Sequence, residues 1–409
     1  MRLALALALS AGLAPALLTP AAVAQTRPPI DAGPANAADQ TPAFPGQTRA
    51  PQPDEPTAFA TETVATGLPR LWALEFLPDG RMLVTAKSGT MHIVGQDGRV
   101  GAMIQGVPSV DSRGQGGLLD LALDPGFADN HRIYISYSEP RGDGVNGTTV
   151  ARAVLDMREG NTAALNSFEV IFRQTPGYAG TSHFGSRLAF RRDGTLFVTV
   201  GERSDTPIRD RAQALDAGMG KVFRINTDGS VPADNPFVGR DGAQPQIWSY
   251  GHRNLQSAIV DHAGDLWTVE HGPRGGDELN RPEAARNYGW PVITYGLNYN
   301  GTPVGDGITR HEGMEQPVYY WDPVIAPSGM AEYNGDLFPA WRGHFLIGGL
   351  AAKAIVVLAV EDGRVVTEEW VPLKARVRDV KVAPDGTVYA VTETGNSSNI
   401  VRVIPKKGS

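Results

Sequence analysis

The stretch Trp72-Ala-Leu-Glu-Phe-Leu-Pro-Asp-Gly-Arg-Met-Leu-Val-Thr85 holds two β-prone apolar runs hinged on an Asp-Gly pair. Asp-Gly between such runs is a strong hairpin signal, because Gly takes positive φ freely and Asp tolerates it. The pattern returns as Leu188-Ala-Phe-Arg-Arg-Asp-Gly-Thr-Leu-Phe-Val-Thr199 and as Val380-Lys-Val-Ala-Pro-Asp-Gly-Thr-Val-Tyr-Ala-Val-Thr392. A variant, Ala258-Ile-Val-Asp-His-Ala-Gly-Asp-Leu-Trp-Thr-Val269, reverses the turn dipeptide. Further hairpins are expected around Asp97-Gly98, after Met91, and between Ala354 and Val366. Helical periodicity is scarce, with Ile208 to Leu215 the best short candidate. Hairpins recurring at intervals of several tens of residues suggest propeller blades with long connecting loops. A β-sandwich would need several domains to reach this length, and no linker separates them. The expected fold is therefore all-β, a six-bladed β-propeller with long inter-strand loops.

Composition narrows the chemistry. The 409 residues include 48 Gly, 31 Pro and no Cys, with 44 acids against 37 bases. Lack of Cys removes thiol nucleophiles, thiolate zinc sites, iron–sulfur ligation and disulfides together. A net charge of −7 argues against a nucleic-acid partner held by phosphate contacts. No Gly-x-Gly-x-x-Gly after a strand, Walker loop, His-Glu-x-x-His or Gly-x-Ser-x-Gly elbow is present.

The chain divides into four parts. Met1-Arg2, an Ala/Leu-rich run to Leu18 and Ala22-Val23-Ala24 have the form of a cleaved signal peptide over residues 1–24. A retained anchor is the alternative, but Ser10, Pro15, Thr19 and Pro20 interrupt the run. No later segment is apolar enough to span a bilayer, so an exported protein without stable membrane insertion, in a bacterial periplasm, is expected. Residues 25–57 hold eight prolines and only Ile30 and Phe44 as large apolar residues, which predicts a disordered tether. The folded domain is expected over 58–405, followed by a tail at 406–409.

Propellers bind ligands on the loops at one end of the central channel. Five polar segments fall beside the hairpins: Gly114-Gln115-Gly116-Gly117, Ser182-His183-Phe184-Gly185-Ser186-Arg187-Leu188, Gly251-His252-Arg253-Asn254, Glu270-His271-Gly272-Pro273-Arg274-Gly275-Gly276-Asp277-Glu278, and Arg376-Val377-Arg378-Asp379. Taken together and in order, they resemble the soluble quinoprotein sugar dehydrogenases of the glucose/sorbosone dehydrogenase family, on the side of the aldose sugar dehydrogenases. The resemblance runs from about Phe59 to Val403. It implies a propeller that binds pyrroloquinoline quinone (PQQ) and calcium and oxidises aldoses at C1, passing electrons to an external acceptor.

The residue types suit that chemistry. PQQ carries three carboxylates, which guanidinium forks grip bidentately. Arg376 and Arg378, two apart, face the same way on a strand; ion pairs with Glu368-Glu369 are the alternative. The resemblance places Arg253, Asn254, Gln115, His271, Tyr299 and the backbone near Gly349 on the cofactor as well. It makes His183 the base that takes the C1 hydroxyl proton, a task that suits neutral imidazole; a satisfied structural histidine is the alternative. Calcium is placed on the carbonyls of Gly272 and Pro273, and at a site using the Glu278 carboxylate and Tyr288; a solvated loop acid is the alternative for Glu278.

Departures from the glucose dehydrogenase branch bear on specificity. Ser182 stands where that branch has Asp, Arg203 where it has Gln, and His271 where it has Gln. Its cofactor lysine aligns with Ala351, with Lys353 two residues on. The long insertion used there for dimer contacts is missing after Tyr288, so a monomer is expected. Two other functions compete: a calcium-dependent propeller hydrolase of lactonase type, and a binding module without cofactor. The first would want several channel-facing acidic ligands. The second would not keep His183, Arg253, Arg376 and Arg378 together.

Overall fold

A computed structural model describes residues 27–158 and 162–406. Each repeated hairpin forms the two innermost strands of an antiparallel sheet, paired as Phe76↔Met82, Phe190↔Leu196, Val260↔Leu266 and Val382↔Val388 nearest the turns. The turn glycines Gly80, Gly194, Gly264 and Gly386 have φ between 81° and 97°. That is why glycine recurs there, since a Cβ is strained at positive φ. Asp79, Asp193 and Asp385 fix the turns by accepting the backbone N–H two residues on, at 2.9–3.0 Å.

Six sheets follow one another along the chain. Blade 1 has three strands, Leu71–Phe76, Met82–Ala86 and Thr90–Val94. Its fourth position is reduced to one bridge, Val94↔Val100, beyond the turn at Asp97-Gly98. Blades 2 to 5 are four-stranded meanders with innermost strands Leu118–Leu123, Leu188–Phe190, Leu255–Val260 and Pro327–Glu332. Blade 5 contains the expected hairpin, Ala354–Glu361 paired to Arg364–Pro372. Blade 6 takes Arg376–Val382, Val388–Thr394 and Ser397–Pro405 from the end of the chain and its outermost strand, Phe59–Pro69, from the beginning. The six innermost strands touch in order and the sixth returns to the first, closing the propeller. Ile208–Gln213 is helical as expected, but as a 3₁₀ turn.

Apolar residues fill the spaces between neighbouring blades. Trp72, Leu83 and Met91 of blade 1 meet Leu119, Ile133 and Ile135 of blade 2, and comparable clusters join the other neighbours. Inner strands such as Met82–Ala86 and Leu196–Val200 are buried along their whole length. A strand packed on both faces reads as a continuous apolar run, which is what the sequence repeats display.

The Pro-rich segment departs from the expectation of a disordered tether. From Arg27 it is laid as a strap over the outer edges of blades 4 and 5, with a two-strand pairing of Arg27–Pro29 and Pro51–Gln52. Composition undercounted its bonds to the domain. Asp322 accepts the N–H groups of Asn36 (2.6 Å) and Ala37 (2.9 Å), and fully buried Gln47 donates to the Pro317 carbonyl at 2.9 Å. Ala50 N–H donates to Tyr319, and Thr57 is held by Glu369. Backbone hydrogen bonds and a few small buried side chains order it where large apolar residues are lacking. The expected signal peptide and nearly all of the tail lie outside the described residues.

Candidate functional site

The loops entering the innermost strands meet over the channel and enclose a cavity of about 210 Å³. Every blade contributes. Arg70, Trp72 and Lys87 come from blade 1, Gln115 and Leu119 from blade 2, and Phe184 and Gly185 from the loop before blade 3. Asn254, Gln256 and His271 come from blade 4, Leu350 from blade 5, and Arg376 and Arg378 from blade 6. Of the sequence candidates, Gln115, Asn254, His271, Arg376 and Arg378 thus line one cavity.

His183 sits beside this cavity in a constrained loop. Its φ is 48°, its N–H donates to Gln115 Oε1 at 2.8 Å, and it is 6% exposed. The loop presses so closely on Gly201 that a Cβ there would collide with the His183 carbonyl. Buried Arg203 holds the loop from below, donating to the Ser182 and Gly180 carbonyls and lying 4.0 Å over the Phe184 ring. Burial lowers the His183 pKa, with Glu202 opposing, so the ring is neutral at neutral pH. His183 Nδ1 lies 2.7 Å from Glu202 Oε2. Burial pushes the Glu202 carboxyl up, but the His183 contact and Arg253 outweigh it and the pKa falls. Glu202 is therefore the anion, Nδ1 carries the proton, and Nε2 is left as a lone-pair acceptor without a hydrogen bond among the described residues.

Arg253 and the glycine-rich loop form a second layer. Arg253 Nη1 donates to the carbonyls of His271 (2.9 Å) and Gly272 (2.7 Å), and its guanidinium lies 5.0 Å from the Trp290 ring centre. One of the two carbonyls expected to bind calcium is thus engaged by a cation, while among the described residues no hydrogen bond reaches the Pro273 carbonyl. Asp277, buried and with its pKa raised by burial to about 7, accepts the N–H groups of Gly272 and Ala326 and shapes this loop. His271 donates Nε2–H to the Pro327 carbonyl at 2.6 Å, and burial lowers its pKa to about 3.

Behind Arg253, a cavity of about 20 Å³ is lined by Glu270, Glu278 and Tyr288 among others. Glu270 is bound by His252 Nδ1, the Arg253 N–H and Asn280 Nδ2. Among the described residues the Glu278 carboxylate is hydrogen-bonded only by Asn280 Nδ2, at 3.1 Å, and burial together with Glu270 raises its pKa well above the usual range. Asn280 Oδ1 is buried without a partner. A cation would relieve both, so the residues fit one there. Among the described residues no group of three or more His, Cys, Asp or Glu side chains is arranged to hold a metal.

On the opposite wall the cations crowd. Arg376 Nε (3.0 Å) and Arg378 Nε (2.8 Å) share Glu393, and Arg70 Nε lies 3.6 Å from it. Glu368 and Glu369 are not their partners: Glu368 binds Tyr319 and Trp370, and Glu369 binds Thr57 and Trp341. Lys87 hydrogen-bonds the Gly114 carbonyl. Burial lowers its pKa, as do Arg70 and Arg378. Lys353 is exposed and lies off the cavity wall. Gly349 is buried in a strand of blade 5 next to wall residue Leu350. Tyr299 stands apart, 74% exposed at the tip of the Asn298–Thr302 turn.

Sequence reading missed Glu202, Glu270, Arg70, Lys87 and Glu393. A signal existed. Lys87, His271 and Glu393 each lie seven residues after the glycine of a repeated turn (80, 264 and 386), where the second strand has climbed back to the loop end.

Comparison with known proteins places this propeller in the sugar-dehydrogenase class of oxidoreductases. The family model for glucose/sorbosone dehydrogenases matches residues 68–402, and the chain belongs to that family. It is 41% identical over 360 residues to the aldose sugar dehydrogenase YliI of Escherichia coli, covering 86% of this chain and 94% of that one. The apo structure of the soluble E. coli aldose sugar dehydrogenase superposes with a TM-score of 0.80 at 40% identity, over 85% of this chain and all of the other. The PQQ-bound aldose sugar dehydrogenase of Streptomyces coelicolor gives 0.69 at 27% identity, over 85% and 99% of the two chains.

Proposed function

We propose that the protein oxidises aldoses at C1 to the lactone with PQQ and calcium, delivering electrons to an external acceptor. The observation that carries this reading is the His183–Glu202 pair set beside a cavity walled by Arg376 and Arg378. His183 Nε2 takes the C1 hydroxyl proton, and Glu202 stabilises the imidazolium that results. Gln115 holds the His183 backbone and so fixes where Nε2 points. Arg376, Arg378, Asn254 and His271 would hold the cofactor, with the backbone near Gly349 beside them. When bound, PQQ supplies the two-electron acceptor and calcium a Lewis acid beside it. The carbonyls of Gly272 and Pro273 would hold calcium, the Gly272 oxygen using its second lone pair beside the hydrogen bond from Arg253. The Glu278 carboxylate and the Tyr288 carbonyl would hold a second calcium, the Tyr288 hydroxyl being engaged by Glu283 and Arg281.

We place the mature enzyme in the periplasm as a monomer, after loss of a signal peptide. A calcium-centred hydrolase fits less well, because the lining of the main cavity offers cations and amides but no carboxylate. The deciding experiment reconstitutes the protein with PQQ and calcium and measures aldose-dependent reduction of an electron-accepting dye. Turnover with aldoses supports the reading; no reduction with any aldose, or no change in the quinone absorption, sinks it.

A further inference from the structure

Charge around the main cavity does not balance. Arg70, Lys87, Arg376 and Arg378 all line it, and among the described residues no Asp or Glu does. The acid that touches them from behind is Glu393, shared by the three arginines. Four positive charges against one negative leave an excess of three, in a partly desolvated space where like charges repel strongly. Two of the four carry unused binding capacity. Among the described residues Arg70 Nε makes no hydrogen bond, only the 3.6 Å ion pair with Glu393, and Lys87 spends one of its three ammonium protons, on the Gly114 carbonyl. Arg376 and Arg378 sit on blade 6, whereas Arg70 and Lys87 approach from blade 1, so the surplus charge is spread over two blades.

We infer that Arg70 and Lys87 are cofactor-binding residues, completing with Arg376 and Arg378 a cradle matched in charge to a planar tricarboxylate. The inference rests on the PQQ reading above and extends it to two side chains on another blade. The excess of three equals the charge of the ligand's carboxylates, so binding neutralises the cavity. It also explains why Lys353 can stand off the wall: the ammonium on this cavity comes from Lys87.

The test is a titration of the calcium-loaded protein with PQQ, followed by quenching of tryptophan fluorescence, with melting temperature of the PQQ-free protein read alongside. Lys87→Met and Arg70→Gln each should weaken PQQ binding about tenfold, the usual scale for one charge-assisted hydrogen bond. Lys87→Arg should bind within about threefold of wild type, and Lys353→Met should bind like wild type. Melting of PQQ-free Lys87→Met should not fall, because the substitution relieves like-charge repulsion; a purely structural lysine would lower it. Arg70 has a side chain 40% exposed, so Arg70→Gln keeps the test decisive should Lys87→Met fold poorly. Wild-type affinity in both Lys87→Met and Arg70→Gln, with wild type binding PQQ normally, overturns this inference alone. No PQQ binding by wild type overturns the functional reading and this inference with it.

Discussion

The two sides of the channel mouth are built on opposite principles. On the side of blades 3 and 4 two histidines meet carboxylates: His183 pairs with Glu202 and His252 with Glu270, at 2.7 and 3.0 Å. On the side of blades 6 and 1, three arginines compete for Glu393. The first side is arranged before any ligand arrives, which is what proton transfer at a defined atom needs. The second holds charge in reserve, which is what tight binding of an anion needs. Catalysis and cofactor affinity are therefore expected to separate by mutation.

The largest effect is expected at His183. His183→Ala should lower turnover about 10²- to 10⁴-fold, the range for a positioned general base. Its PQQ affinity, read by titration, should stay near that of wild type. Full turnover in a variant that binds PQQ would remove His183 from the role. Arg378→Gln should do the reverse, weakening PQQ binding by about tenfold or more with turnover at saturating cofactor nearly kept. A collapse of turnover at saturation would blur the division between the two sides.

Smaller changes sharpen it. Glu202→Gln should cost about tenfold in turnover and shift the pH profile. Because Glu202 raises the His183 pKa against burial, losing its charge lowers that pKa further. The base form then persists to lower pH, and the acid limb of the kcat profile moves down; an upward shift would contradict the pairing. Salt gives the mildest test. Raising ionic strength from about 0.01 to 0.15 M shortens the screening length from about 30 to 8 Å. PQQ affinity should fall severalfold over that range, while kcat at saturating PQQ stays flat.

The blades were legible because their repeat is local: an apolar run, a turn that demands glycine, a second run. Blade 6 was harder, since Phe59–Pro69 pairs with Ser397–Pro405 from the far end of the chain, and no local pattern announces that partnership. The strap was misjudged because composition measures apolar surface, and this segment is held by hydrogen bonds to Asp322, Tyr319 and Pro317. Within the site, Gln115, Asn254, His271, Arg376 and Arg378 were readable from ordered motifs. Glu202 was not, because its importance is a distance to His183 across 19 residues of chain. Arg70 and Lys87 flank an apolar hairpin of blade 1, and only closure of the propeller brings them beside Arg378 of blade 6.

That closure couples the cofactor to folding. Arg376 and Arg378 lie on the innermost strand of blade 6, and blade 6 is finished only when the strand Phe59–Pro69 docks on Ser397–Pro405. Until then the positive wall from blade 6 and the one from blade 1 have no fixed separation. A ligand that bridges them binds the closed propeller and not the open one, so it stabilises closure in proportion to its occupancy. Such a ligand would be a clasp on the seam between Phe59–Pro69 and Ser397–Pro405, and shaving the last strand should loosen it before the hydrogen bond between His183 and Glu202 is disturbed.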